Sequence, residues 1–186
     1  AYNVAIGFDA GNDITTGIQN TIMGGLAGDA LTTGSNNVAI GYAALSLEDA
    51  HGYNVAIGNN ALSNQDAGAD AFNVAIGSSA GANISTGVEN TIIGGDAGNA
   101  LTTGQDNTLL GYSAGDSLTI EDDNTLIGHG VGGAVTSAEN TFIGRRAGAS
   151  ATTGDANICI GAASDVSAAA IANEVNIYNG SVTARF

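Results

Sequence analysis

The side chains able to do chemistry are few and scattered. His51 and His129 are the two imidazoles, and neither begins a metal-ligand spacing. Both are expected as solvent-exposed turn residues. Cys159 is the single thiol, which excludes an internal disulfide framework and a zinc site built on several thiolates. In Asn157-Ile158-Cys159-Ile160-Gly161 it stands where similar segments carry Ala, Ile, Leu or Phe, so it reads as a small buried hydrophobe. Glu121-Asp122-Asp123 is the densest acidic run, with oxygens suited to a hard cation such as Ca²⁺, and is read as a solvated turn. Arg145-Arg146 is the only basic pair, expected in local or intersubunit ion pairs or against a small anion. Gly-rich turns lack the Lys-Ser/Thr of a phosphate loop. This reading assigns no catalytic residue, no cofactor-binding residue, no cofactor and no metal ligand, and it expects no enzyme.

Composition narrows the class further. The chain has 186 residues with 29 Gly and no Pro, so a collagen-like repeat is excluded. Charged residues are only 11% and hydrophobic residues 44%, which argues against charge-driven disorder. Three Lys+Arg against 18 Asp+Glu give a net charge of −15, which repels a nucleic-acid backbone. No apolar run approaches the ~18 residues that span a bilayer. Any targeting signal is expected outside this segment.

What positions these residues is a repeat. A unit opening with Asn and reaching Gly four residues later starts at Asn3, Asn20, Asn37, Asn54, Asn73, Asn90, Asn107, Asn124, Asn140 and Asn157. A degenerate copy is read at Asn176. Most spacings are 17 residues, too short for a helical hairpin, which needs ~33 or more. The β-branched stretches bounded by Gly and Asn read as strands. Such a unit buries an apolar face only by stacking on its copies. The expected fold is therefore all-β: a parallel β-solenoid or β-roll of about ten coils, spaced ~4.8 Å and forming a rod of roughly 50 Å. Residues 1–163 are expected to form it, with 164–186 as a terminal coil and junction.

Each column of the repeat has an expected role. Position 4 is mostly Ile (Ile6, Ile40, Ile57, Ile76, Ile93, Ile127, Ile143, Ile160) and is read as the interior column. Position 3 takes the other face and is Ala behind Val but large behind Thr, as in Val38-Ala39 and Thr108-Leu109. A strand apolar on both faces needs two covers, and the second is expected to be another chain. Position 5 is Gly from Gly7 to Gly161, where the chain needs φ > 0 or close backbone approach. Position 8 is usually Ala, suited to a tight inward corner. The Asn column is expected to stack into a hydrogen-bonded ladder.

Two units lack the usual Thr-Thr-Gly turn. Glu48-Asp49-Ala50-His51-Gly52-Tyr53 replaces it in the third, and Gln65 to Phe72, with two extra residues, in the fourth. Insertions in solenoids map to loops on one face, often a binding face. Elsewhere the Thr pairs (Thr15-Thr16, Thr32-Thr33, Thr102-Thr103, Thr152-Thr153) evoke ice-binding arrays, but the column is broken.

Val-Ala-Ile-Gly, Thr-Ile-Ile-Gly and Thr-Leu-Ile-Gly strands followed by Ala-Gly and Thr-Thr-Gly resemble the Asn-Thr-Ala-Ile-Gly repeats of bacteriophage tail fibres. The resemblance spans Asn3 to Gly161. More distantly the strands are similar to the heads of trimeric autotransporter adhesins, with a shorter unit. That resemblance implies a left-handed parallel β-roll assembled as a homotrimer. The stretch from Ala172 to Phe186 is similar to the segment that precedes the self-cleaving intramolecular chaperone of phage fibres. The function implied is a structural and adhesive segment of a viral tail fibre, a rigid trimeric rod used in host attachment. Its implied partners are its own copies and a host cell-surface receptor or glycan, with no nucleic acid and no membrane insertion. Its implied location is the virion, extracellular. The alternatives are a bacterial adhesin head at the cell surface and, less favoured, an ice-binding solenoid or a glycan depolymerase segment. The last needs paired carboxylates and aromatic platforms, for which five Tyr, four Phe and no Trp are a poor supply.

Overall fold

Position 5 of every full unit ends a strand after three residues, because its glycine turns the chain with φ between 118° and 142°. A computed structural model describes residues 2–178 and, as backbone, residues 183–185. The strands are β1 (Val4–Ile6), β2 (Thr21–Met23), β3 (Val38–Ile40), β4 (Val55–Ile57), β5 (Val74–Ile76) and β6 (Thr91–Ile93). They continue as β7 (Thr108–Leu110), β8 (Thr125–Ile127), β9 (Thr141–Ile143), β10 (Ile158–Ile160) and β11 (Val175–Tyr178), with β12 (Thr183–Arg185) last. All pair in chain order in one sheet. β1 to β11 are parallel, each strand one coil from the next, and β12 is antiparallel to β11. This is an all-β solenoid of stacked coils, and the described residues contain no helix. The C-terminal segment read at Ala172 to Phe186 lies partly outside the described residues.

Register is column on column. Val38, Ala39 and Ile40 pair with Val55, Ala56 and Ile57, and equivalent pairs run the length of the ladder. The last unit keeps the 17-residue period and opens at Glu174, not at Asn176. Glu174 donates its N–H to Asn157 Oδ1 at 2.9 Å, and Asn176 pairs with Cys159 inside the coil. Alternation of Val175 and Ile177 about a buried centre decides this register, more than the identity of the opening residue.

The interior face is position 3, which reverses the sequence expectation. Ile22, Ala39, Ala56, Ala75, Ile92, Leu109, Leu126, Phe142 and Cys159 are fully buried. Position 4 points outward, and Ile6, Met23, Leu110, Ile143, Ile160 and Ile177 are 37–56% exposed. The variable column is inside, and in most coils its volume is balanced against position 9 of the same coil. Ile22 and Phe142 face Gly28 and Gly148, where an added Cβ would run into their coil's own side chains. Where position 3 is Ala39 or Ala56, position 9 is Leu45 or Leu62, also fully buried. In the fifth coil Ala75 and Gly81 are both small, and Ile84 with Leu62 and Ile92 of the adjacent coils reaches Gly81, so core volume is shared within and between neighbouring coils as close packing requires. Cys159 sits in this core as a buried thiol.

The remaining sides of each coil are also tied to neighbours. Ala27, Ala44, Ala61, Ala80, Ala97, Ala114 and Ala147 form the buried corner at position 8. Backbone bonds join coils at several points, such as Gly98 N to Ala114 O at 2.9 Å and Thr102 N to Thr119 O at 2.7 Å. Proline lacks the donor these contacts use, which accounts for its absence.

The Asn column is a ladder of a particular kind. Each Oδ1 accepts the backbone N–H of the next Asn, for example Asn73 Oδ1 from Asn90 N at 2.9 Å and Asn107 Oδ1 from Asn124 N at 3.0 Å. Most Nδ2 groups donate to a turn carbonyl fourteen residues ahead, as Asn90 Nδ2 does to Gly104 O at 2.9 Å. Buried amides that bond backbone in both directions lock turn and strand together. The two-residue insertion removes that carbonyl from Asn54, whose Nδ2 is buried without a partner.

Candidate functional site

The two irregular turns meet. Position 12 is an interior column, held by Leu31, Ile84, Leu101, Leu118, Val135 and Ala151, all fully buried. In the third and fourth coils it carries Glu48 and Gln65, which are equally buried. Gln65 is satisfied: its Oε1 accepts Asn73 Nδ2 at 2.7 Å and its Nε2 donates to Ser85 O at 3.1 Å. Glu48 is not. Its Oε1 accepts the N–H of His51 at 2.9 Å and lies 3.2 Å from His51 Nδ1, while its Oε2 is buried with no partner.

Stacking adds two more carboxylates. Asp49 and Asp66 hold position 13 of successive coils and follow Glu48 and Gln65 directly. One ligand-type atom from each of Glu48, Asp49, His51 and Asp66 lies within 4.8 Å of the others. Burial holds the Glu48 carboxyl above its ordinary value, outweighing the opposite pull of its hydrogen bond from His51. The inserted loop is fastened to the same coil. Gly52 N donates to Asp70 Oδ1 at 3.0 Å, and Tyr53 stacks on Phe72 with centroids 5.0 Å apart. His51 was expected as an exposed turn residue; instead it is mostly covered and pairs with a buried acid.

The other sequence candidates stay apart. His129 is exposed and stacks on Tyr112, with centroids 5.5 Å apart, in an open groove of ≈ 520 Å³ that Arg146 and Asp165 also line. Glu121 folds back on its own turn, accepting the N–H groups of Thr119 and Ile120 at 2.6 and 3.0 Å. Asp122 caps Gln105 N at 2.8 Å. Arg145 and Arg146 form no local ion pair, since His51–Glu48 is the only one among the described residues. The hydroxyls of Thr15, Thr32, Thr102 and Thr152 donate to carbonyls of the next coil. No described helix is long and apolar enough to cross a membrane.

The class these features define is a parallel β-solenoid with an uncovered apolar wall and one polar defect in its core. No family model, curated protein or solved structure matches the chain.

Proposed function

We propose that this chain is a structural and adhesive rod, a left-handed, homotrimeric segment of a viral tail fibre that serves host attachment from the virion surface. The observation that carries this reading is the outward wall of the sheet. Positions 2 and 4 of β1 to β11 place Val, Thr or Ile beside Ile, Met or Leu, with no charge in either column. At ~4.8 Å per coil these columns make an apolar stripe roughly 50 Å long. Contiguous exposed apolar surface of that extent marks an interaction surface. A second copy offers the same repeat at the same pitch, which makes self-association the matching occupant. Residue repetition alone supports a rod, because each coil contacts only its neighbours. Exposed Tyr112 stacked on His129 beside Arg146 offers an amphipathic surface of the kind that contacts sugars.

Sedimentation equilibrium tests the assembly, and a mass three times the chain mass of 18.1 kDa is expected. A monomer at micromolar concentration removes the trimeric rod. Binding of the purified chain to candidate host cells, against cells stripped of surface glycan, tests the attachment role.

A further inference from the structure

We propose that Glu48, Asp49, His51 and Asp66 bind a divalent transition-metal ion, with Zn²⁺ the best-matched probe. Three observations converge. The first is placement. An ionisable side chain stands in a core column that is otherwise mostly aliphatic and is fully buried there. A buried carboxylate needs a counter-charge or a full set of hydrogen bonds. The second is satisfaction. Gln65, one coil on in the same column, has both polar atoms bonded, whereas Glu48 Oε2 has none. The third is convergence. Asp49 and Asp66 add negative charge to the same place, and the third and fourth units contain no Lys or Arg, the sequence placing its three at 145, 146 and 185.

The donor set selects the class of ion. One imidazole nitrogen with carboxylate oxygens suits Zn²⁺ and its first-row neighbours, while Ca²⁺ and Mg²⁺ prefer oxygen alone. Ligand atoms around tetrahedral zinc stand about 3.4 Å apart, from Zn–N and Zn–O bonds near 2.1 Å. His51 Nδ1 and Glu48 Oε1 are already 3.2 Å apart. Asp49 and Asp66 are exposed, so nothing holds their carboxylates fixed, and each offers an oxygen within 4.8 Å of the other ligand atoms. The anchored loop, through Asp70 and the Tyr53–Phe72 stack, holds the coil that presents His51. The ion would tie the two irregular turns where the Thr-Thr-Gly contacts are missing.

The test is calorimetric titration of the EDTA-stripped full chain with zinc chloride, paired with melting curves. One ion per chain, bound in the micromolar range, and a higher melting temperature with zinc are expected. His51→Gln should weaken binding ~10-fold or more. Glu48→Gln copies Gln65, which holds the same position of the next coil, so it should fold yet weaken binding ~10-fold or more and lose the zinc-induced shift. Asp122→Asn, in the other acidic turn, should bind as the wild type does. Absence of saturable binding up to millimolar zinc overturns the proposal. So does binding that survives both His51→Gln and Glu48→Gln, or binding lost in Asp122→Asn.

Discussion

Leu109 and Leu110 are adjacent on β7 and point to opposite faces of the sheet: Leu109 is fully buried in the coil interior, and Leu110 is 42% exposed on the outer wall. The pair separates folding from assembly within one dipeptide. Leu109→Asp should unfold the middle coils, since an unpaired charge in the core costs several kcal/mol. Leu110→Asp should leave the circular dichroism spectrum and monomer fold intact, with an effect on chain stability within ~0.5 kcal/mol. Its predicted effect is on mass, lowering the assembled species toward single chains in sedimentation. If Leu110→Asp leaves the assembly mass unchanged, the outer wall is not the contact surface.

Gly94 carries a second prediction. Its φ is +140°, and a Cβ there would be driven against the carbonyl of Gly111 in the next coil. Strain and steric overlap add, so Gly94→Ala should cost about 3 kcal/mol or more. Gly68, with φ +70° in the inserted loop, meets nothing within 4 Å. Gly68→Ala should cost only the backbone part, ~1 kcal/mol. Equal losses in denaturant unfolding would contradict the stacking argument.

The amide ladder predicts unequal costs for equal substitutions. Asn107 accepts from Asn124 N and donates to Glu121 O at 2.8 Å and Gln105 O at 3.0 Å. Asn54 accepts from Asn73 N at 3.1 Å, but its Nδ2 is buried without a partner. Asn107→Ala should therefore destabilise by ~1–2 kcal/mol more than Asn54→Ala. Paired urea titrations check the order, and a reversal would mean that the side-chain N–H bonds contribute nothing.

Glu48 also sets a pH dependence in metal-free protein. Its folded-state pKa lies above the ordinary 4.5, chiefly through burial. In the window from 4.5 up to that raised value, the folded chain binds more protons than the unfolded chain. Stability from this group is therefore highest below the window and falls as pH rises through it. Glu48→Gln should remove that part of the slope. Melting temperatures measured with EDTA across mildly acidic pH provide the check, and parallel profiles for the two proteins would refute it.

The net charge of −15 leads to a fifth expectation, that added salt raises the melting temperature by screening self-repulsion. A melting temperature that is flat with ionic strength would show that the charges are already too dispersed to matter.

Much of the architecture is legible in the sequence alone. Recurrence at 17 residues fixed one coil per unit, and the glycine, alanine and asparagine columns each kept the role their chemistry suggested. The interior face was read the wrong way round for an instructive reason. Uniform Ile at position 4 resembles a core column, whereas the true core tolerates Ala39, Leu109 or Phe142 because Leu45, Gly115 and Gly148 compensate. A column is uniform where its neighbours cannot adjust. The acidic cluster escaped because Asp66 is remote in sequence from His51. The signal lies at position 12, where Glu48 and Gln65 stand in a column that is Leu, Ile, Val or Ala elsewhere.

Because each coil packs only on the one before and the one after, the molecule's reach is counted in whole units. Loss or duplication of one repeat by recombination between near-identical segments would shorten or lengthen the rod by a single ~4.8 Å step. The new neighbours would meet through the same glycine, asparagine and aliphatic columns. Reach is thus a heritable number that can change without redesigning any contact, except at the third and fourth coils, where Glu48 and Gln65 make the order of units matter.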